Sequence, residues 1–360
     1  MPERLQYAPF SFAVHMDYLF DYLLFLAQAV TIVVAVLLIL SAVVSLGHKR
    51  RDHEGGHLEV RKLNDRLLDL RHAVEDSILS DAELKAQRKR EIKEEKAEAK
   101  AHKEAQKKAA GEETVKPRLF ILDFDGDVEA GRTEYLRTEI TAVLTLAKSQ
   151  DEVLLRLTSP GGMVPHYGLA ASQLHRIRKQ GVPLVVAVDK VAASGGYLMA
   201  VVASKVIAAP FALIGSIGVV AEVPNVHRLL DKYDVDWDVY TAGQYKRTLT
   251  VFGENTEEGR KKFVEELEDT HALFKEFVAE HRPALDLTSV ATGEAWYGQR
   301  AIEKNLVDEL STSDEYVNAA CEDRDVYEVQ WIEHRKPLDR ILGEIRGLLA
   351  RVARLFAWVR

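Results

Sequence analysis

A serine within a glycine-rich turn is the residue of this 360-residue chain best placed for nucleophilic chemistry. The apolar run 184–188 predicts a buried parallel strand, and the chain then passes through Ala192-Ala193-Ser194-Gly195-Gly196 before apolar residues return at helical spacing. Ser194 is therefore expected on a strand-to-helix turn, where glycines let another backbone approach and the helix presents free N–H groups. The simpler alternative is that Ser194 only caps the helix, because serine is a preferred N-cap residue.

A serine becomes a nucleophile only when a nearby base accepts its proton. Residues 215–224 contain no histidine, and His166 and His175 have no carboxylate at an obvious spacing to orient them, which disfavours a Ser-His-Asp triad. Lysine is the alternative base, and it needs an environment that disfavours its charged form. Lys246 is the candidate, because it lies between Tyr245 and a predicted threonine-rich strand rather than in a run of charges. Taken alone, however, a lysine is usually a solvated surface residue.

The sequence from Arg118 onwards alternates predicted strands with predicted helices. Strands are expected at 119–124, 153–157, 184–188 and 206–208, and helices are expected at 133–147, 167–179 and 256–282. This alternation predicts an α/β fold with a mainly parallel sheet and with ligand chemistry at the carboxyl ends of its strands. The turn Ser159-Pro160-Gly161-Gly162 also follows a strand, so it is expected to open at the same end as the Ser194 turn.

A long uncharged segment precedes this domain. Residues 22–46 contain no charged side chain, and as a helix they would be about 38 Å long, enough to span a bilayer. A cleaved signal peptide or a buried core helix is the alternative, but the run is longer than the usual signal-peptide core. The basic residues at 48–51 follow directly, and by the positive-inside rule they predict that the C-terminal side lies in the cytoplasm.

Charged segments flank the α/β domain on both sides. Residues 81–110 are almost entirely Lys, Glu, Ala, Arg and Gln, which predicts a solvated helix or a disordered spacer. Residues 336–360 are predicted to form a basic amphipathic helix that lies on an anionic membrane, on a partner subunit or on its own domain. The predicted organisation is an N-terminal tail (1–21), a transmembrane helix (22–46), a charged spacer (47–117), the α/β domain (118–335) and the C-terminal helix (336–360).

Composition excludes several classes of function. The single cysteine, Cys321, cannot form an internal disulfide, and no histidine or cysteine cluster has the spacing of metal ligands, so neither a metal nor another cofactor is expected. The net charge is −8, and residues 119–360 carry 28 Lys and Arg against 37 Asp and Glu. An acidic body of this kind disfavours a nucleic-acid partner.

Four motifs in this order resemble the SohB and SppA family of membrane-bound signal peptide peptidases. They are Ser159-Pro160-Gly161-Gly162, Ala193-Ser194-Gly195-Gly196-Tyr197, Gly215-Ser216-Ile217-Gly218-Val219 and Gln244-Tyr245-Lys246. The resemblance covers roughly 118–308 and implies a ClpP/crotonase-like fold with a Ser-Lys dyad. It implies that Ser194 is the nucleophile, Lys246 the general base and Ser216 the hydrogen-bond partner of the lysine. It also implies an oxyanion hole made by the backbone N–H groups of Gly195 and of Gly161 or Gly162.

The same resemblance has consequences for assembly and location. The chain holds one copy of each motif, and a family dyad shared between neighbouring copies would require a homo-oligomer whose sites form between subunits. The expected enzyme is a single-pass serine endopeptidase of the bacterial inner membrane, with the lipid bilayer as a partner and with hydrophobic or unfolded peptides, including signal-peptide remnants, as substrates. Kinship with periplasmic peptidases conflicts with the sidedness that the basic flank predicts.

Two other functions remain open from the residues alone. One is an acyl-CoA enzyme of the crotonase type, in which the paired glycine turns would hold a thioester oxygen and Ser194 and Lys246 would be incidental. The other is a non-catalytic membrane scaffold that acts through the charged spacer.

Overall fold

The computed structural model describes residues 21–22, 24–32, 56–108 and 116–333. The chain divides into two compact units: the first contains residues 1–57 and 333–360, and the second contains residues 58–332. In the first unit, residues 21–22 and 24–32 (α1) are helical. Most of the predicted transmembrane helix, 33–46, lies outside the described residues, and so does the predicted C-terminal helix at 336–360. Within the described ranges, no helix combines the length and the apolar character needed to cross a bilayer.

A seven-stranded sheet forms the centre of the second unit. Its strands are β1 (Gly56–Lys62), β2 (Arg118–Asp125), β3 (Glu152–Thr158), β4 (Leu184–Val188), β6 (Lys205–Ala208), β9 (Glu309–Leu310) and β10 (Asp325–Glu333). They are ordered β1-β10-β2-β3-β4-β6-β9 across the sheet. Each neighbouring pair in this order, starting with β10 and β2 and ending with β6 and β9, is parallel. This confirms the mixed α/β class and the predicted parallel strands.

Two of the glycine-rich motifs follow strands of a smaller three-stranded sheet. It contains β5 (Val191–Ala193), β7 (Leu213–Gly215) and β8 (Ala295–Tyr297). Strands β5 and β7 are parallel, and β7 and β8 are antiparallel. The Ser159 backbone also bridges to Ala192 of β5, so the end of β3 is joined to this sheet.

The helices lie between these strands along the chain. They are α2 (Leu63–Ile78), α3 (Asp81–Lys108), α4 (Thr133–Leu144), α5 (Val164–Lys179), α6 (Gly195–Ala200), α7 (His227–Lys232), α8 (Glu257–His281), α9 (Leu287–Val290), α10 (Gly298–Ala301) and α11 (Ser313–Asp323), with a 3₁₀ turn at Ile302–Lys304. Thr256 caps α8 by accepting a hydrogen bond from the Gly259 N–H group, which matches the predicted start of this helix. Helix α5 begins three residues before the predicted position.

Apolar side chains cover both faces of the large sheet. Because side chains alternate along a strand, Leu122 and Leu155 pack on one face with residues of α4 and α5. Ile121 and Leu154 pack on the other face with Leu63 of α2 and with residues of α11. The sheet is therefore the middle layer of three, and the carboxyl ends of its strands are free to carry loops.

The folded unit begins earlier than the sequence predicts. We expected the α/β domain to start at Arg118, but β1 lies at the edge of the sheet beside β10, and Leu63 belongs to the core. Asn64 joins the two regions, since its side chain donates to the backbone oxygens of Cys321 and Arg324 and accepts from the Val326 N–H group. The sequence did not indicate β1, because charged residues surround this short segment and its pairing partner, β10, lies far away in the sequence.

We expect Asn64→Ala to lower the free energy of unfolding by about 2 kcal/mol, because three part-buried backbone groups lose their hydrogen-bond partner. Urea denaturation followed by circular dichroism measures this change. Arg66→Ala, at an exposed position on the same helix, is the matched control and is expected to have little effect. Equal stability of the two variants would show that 56–78 is not integral to the domain.

Candidate active site

Ser194 occupies the N-cap position of α6 in an unusual backbone conformation. Its φ is 52° and its ψ is −120°, and its side chain makes no capping hydrogen bond. A positive φ is strained for a residue with a Cβ atom, and such strain is found mainly where function requires it. The hydroxyl is therefore not used to cap the helix, contrary to the simpler interpretation of this serine.

The small sheet brings Ser216 beside Ser194. Ala193 and Gly215 are paired residues at the ends of the parallel strands β5 and β7, so the two serines follow directly on a matched pair. The Ser194 N–H group donates to the Gly215 carbonyl at 2.8 Å, and the Ser216 N–H group donates to the Glu294 carbonyl at 2.6 Å. Ser216 also has a φ of 52°. The two hydroxyl-bearing turns are thus held by backbone hydrogen bonds on strand ends rather than on mobile loops.

The two glycine-rich turns meet, as the sequence predicts. Gly161 has a φ of 89°, and a Cβ atom placed on it would lie 2.7 Å from the Gly195 nitrogen and 2.8 Å from the Ser194 Cβ atom. No larger residue fits at this approach, and the positive φ itself favours glycine. Gly161 therefore allows the backbone after β3 to contact the backbone that carries Ser194.

The backbone N–H groups at this junction differ in their availability. The Gly161 N–H group donates to the Ser159 hydroxyl oxygen at 3.1 Å. Gly162 is exposed, and its N–H group has no hydrogen-bond partner within the described part of the chain. Gly195 is the first residue of α6, so its N–H group has no partner inside the helix. Gly162 and Gly195 can therefore donate to a ligand oxygen, whereas Gly161 is already committed.

Lys246 lies in a different environment. It is exposed in a bend, and the predicted threonine-rich strand after it is absent from the structure over 247–255. Its neighbours contact the start of α8, where the Gln244 amide donates to Glu258 and Lys262 lies over the Tyr245 ring. Within the residues that the structure covers, neither Ser194 nor Ser216 is hydrogen-bonded to Lys246. The chain thus assembles the serines and glycines but not the lysine.

Lys246 belongs to a long excursion of the chain, residues 219–252, which we call the arm. The base of the arm is closed by Asn225, whose side-chain amide donates to the carbonyls of Thr250 and Gly253. The arm exposes ten large apolar side chains, namely Val220, Val223, Leu229, Tyr233, Val235, Trp237, Val239, Tyr240, Tyr245 and Phe252. Tyr240 is the most exposed of them, at 90%. An apolar surface of this extent is typical of an interaction site.

The histidines considered from the sequence make other contacts. The His166 ring is hydrogen-bonded to the Glu129 backbone oxygen at 2.7 Å, and His175 contacts His281 at 3.4 Å. Neither ring has an aspartate or glutamate partner in the described hydrogen bonds, so a Ser-His-Asp triad has no support here.

One group of potential metal ligands forms between α2 and α3. His72, Glu75 and Glu91 place their ligand atoms within 4.8 Å of one another. Arg71 lies 2.6 Å from Glu75, and Arg88 lies 3.9 Å from Glu91. These guanidinium groups already supply positive charge to both carboxylates, so the cluster has the features of an ion-pair network across the helix pair.

Two residues beneath the site, Ser159 and Tyr167, had no role in the interpretation of the sequence. Both are fully buried, and the Tyr167 hydroxyl lies 2.5 Å from the Ser159 hydroxyl and donates to the Asp127 carbonyl at 2.6 Å. Burial raises the pKa of Tyr167, so its hydroxyl stays protonated. The glycine at position 195 was the indirect sign of this neighbour, and the structure gives the reason, since a Cβ atom there would lie 2.5 Å from the Tyr167 ring.

Comparisons with known proteins identify the family of the chain. The family model for the peptidase family S49 N-terminal region matches residues 17–174, and the peptidase family S49 model matches 176–327. The chain is 51% identical over 316 residues, 88% of its length, to a probable protease SohB from Haemophilus influenzae, of which it covers 89%. It is 29% identical to a putative signal peptide peptidase SppA from Enterococcus faecium, over 52% of this chain and 55% of that protein. A membrane-bound stomatin-specific protease in complex with a substrate peptide aligns over 64% of this chain at 12% identity, covering 98% of that chain, with a TM-score of 0.37. The family matches and the Haemophilus relative establish that the chain belongs to peptidase family S49 and is a serine-type peptidase.

Proposed function

We propose that this peptidase cleaves its substrates with Ser194 as nucleophile and Lys246 as general base. The observation that carries the proposal is the strained backbone of Ser194, whose φ is 52° and whose hydroxyl leaves the helix uncapped. Ser194 lies where two turns with free backbone donors meet, and an activated nucleophile needs such donors for the oxyanion that its attack creates. The sequence motif Gln244-Tyr245-Lys246, in its order after the serine motifs, supports the lysine.

The proposed reaction follows from these groups. The neutral amine of Lys246 accepts the Ser194 proton while the serine oxygen attacks the substrate carbonyl carbon, and Ser216 hydrogen-bonds the amine. The carbonyl oxygen becomes an oxyanion that accepts hydrogen bonds from the Gly195 and Gly162 N–H groups. The lysine then returns the proton to the leaving amine, which breaks the peptide bond and leaves an acyl group on the serine. Water, deprotonated by the same lysine, attacks the carbonyl carbon of this ester. The bond to the serine oxygen breaks, the lysine returns the proton to that oxygen, and the acyl part leaves as a carboxylic acid.

The site is proposed to form between two copies of the chain. Lys246 lies on the arm, which exposes ten large apolar side chains to solvent, and covering them with a second copy would remove apolar surface from water. A neighbouring arm could then deliver its lysine to the serine of the next subunit. The single copy of each motif supports the same homo-oligomer.

We further propose that the enzyme is an endopeptidase of the bacterial inner membrane with a ClpP/crotonase-like fold. The uncharged run at 22–46 supports a membrane anchor. The Enterococcus relative, described as a putative signal peptide peptidase, supports hydrophobic peptides such as signal-peptide remnants as substrates. The small sheet that carries both serine turns beside the parallel sheet supports the fold assignment.

Labelling with a fluorophosphonate probe tests the proposed nucleophile. We expect the full-length chain to be labelled once and Ser194→Ala not to be labelled, because only an activated serine reacts. Ser172→Ala, at an exposed serine on α5, is the control and is expected to label normally. Absence of labelling in the unmodified chain, or labelling at another residue, would contradict the assignment of Ser194 as the activated nucleophile.

A further inference from the structure

We propose that Tyr167 and Ser159 are positioning residues that hold the oxyanion-binding backbone against Ser194. This inference rests on the proposed function, since it concerns the N–H groups of Gly162 and Gly195. Neither residue touches the substrate. Their action is transmitted through hydrogen bonds and packing to the two turns that meet at the nucleophile.

Ser159 connects the first turn to the strand that leads to Ser194. Its N–H group donates to the Val191 carbonyl at 2.8 Å, and its carbonyl accepts from the Ala193 N–H group at 3.0 Å. Its hydroxyl oxygen accepts from the Gly161 N–H group. The peptide plane before Gly161 is thereby fixed in direction, and the next N–H group along the chain, that of Gly162, is the one left free for an oxyanion.

Tyr167 supports both turns at once. Its ring packs directly against Gly195, where a Cβ atom would come within 2.5 Å of the ring. Its hydroxyl lies beside the Ser159 hydroxyl at 2.5 Å. Gly126 closes the other side of this pair, since a Cβ atom there would lie 2.5 Å from the Ser159 oxygen and 2.6 Å from the tyrosine oxygen. The cluster is fully buried and closely packed, which leaves little space for a water molecule to replace a lost hydroxyl.

The directions of these hydrogen bonds are mutually determined. Tyr167 gives its proton to the Asp127 carbonyl, so the Ser159 proton is the one shared between the two hydroxyls. The serine oxygen is then free to accept from Gly161. Removing the tyrosine hydroxyl leaves the Ser159 proton without its acceptor, and the serine can rotate away from Gly161. The expected consequence is a loosened turn rather than a lost catalytic group.

The test compares Tyr167→Phe with Tyr316→Phe. Tyr316 lies on α11, on the opposite face of the large sheet, and its hydroxyl donates a hydrogen bond to the Glu152 carboxylate at 2.5 Å. Each variant removes a tyrosine hydroxyl: Tyr167→Phe loses the hydrogen bonds to Ser159 and Asp127, and Tyr316→Phe loses the one to Glu152. We expect Tyr167→Phe to lower kcat on an internally quenched apolar peptide about tenfold with little change in KM, because only contacts made in the transition state are displaced. Fluorophosphonate labelling of Ser194 is expected to slow in proportion, whereas Tyr316→Phe keeps kcat within about twofold.

Ser159→Ala tests the same link without the tyrosine. It is expected to lower kcat to a similar extent, and the double variant Ser159→Ala, Tyr167→Phe is expected to be no slower than the worse single variant, because the two residues act in one chain of hydrogen bonds. A kcat for Tyr167→Phe equal to that of Tyr316→Phe would overturn the inference. If Tyr167→Phe does not fold, a normal kcat for Ser159→Ala overturns it instead. Activity retained by Ser194→Ala would refute the proposed function separately.

Discussion

Ser194→Ala and Lys246→Ala each lower peptide hydrolysis by about four to six orders of magnitude, the loss expected when one member of a catalytic unit is removed. The serine supplies the nucleophile and the lysine supplies the base. Without the serine there is no attacking oxygen, and without the lysine no group accepts the serine proton. The double variant is expected to be no less active than either single variant, because the dyad acts as one unit. Steady-state hydrolysis of a quenched peptide by purified full-length protein measures the loss.

Controls separate this loss from misfolding. Ser194 is a single small residue at a turn and Lys246 is exposed, so both variants are expected to keep the thermal unfolding temperature of the unmodified protein. Lys232→Ala replaces another exposed lysine of the arm and is expected to keep full activity. Substantial turnover by Lys246→Ala, with Ser194→Ala inactive, would show that a different group is the base.

A mixture of the two inactive variants recovers activity if the dyad is shared between subunits. In an oligomer assembled at random from equal amounts of Ser194→Ala and Lys246→Ala chains, roughly a quarter of the interfaces pair an intact serine with an intact lysine. Coexpression of the two variants, followed by purification through a tag on each, gives the mixed oligomer. Its activity is expected at roughly a quarter of the unmodified value, with each variant alone inactive.

A substitution on the arm tests the shared site in a second way. Tyr240→Ser removes an apolar side chain that is 90% exposed and lies outside the proposed dyad. We expect it to weaken subunit association and to reduce activity most at low protein concentration, because a shared site is lost on dissociation. An inactive mixed oligomer, isolated with both chains present, would place serine and lysine in one chain.

Local patterns predicted much of the part of the fold that carries the nucleophile. The apolar run at 184–188 became β4 with the predicted bounds, and the Ser194 turn opens beside the turn at Gly161. Both outcomes depend on short-range features, namely a run of apolar residues that must be buried and glycines that permit a close approach. The predicted start of the domain at Arg118 did not take account of β1, because its pairing with β10 joins residues far apart in the chain.

The sequence by itself determined that a serine on a glycine-rich strand-to-helix turn is the candidate nucleophile, since residue types alone decide where such a turn can form. It could not distinguish Gly161 from Gly162 as an oxyanion donor. Only the tertiary structure shows which of the two N–H groups is free, because the Gly161 N–H group donates to the Ser159 hydroxyl, which lies beside the Tyr167 hydroxyl of α5. The exposure of Lys246 is likewise visible only in the tertiary structure. Ten large apolar side chains of the arm around it lie on the surface, although their residue types alone would predict burial.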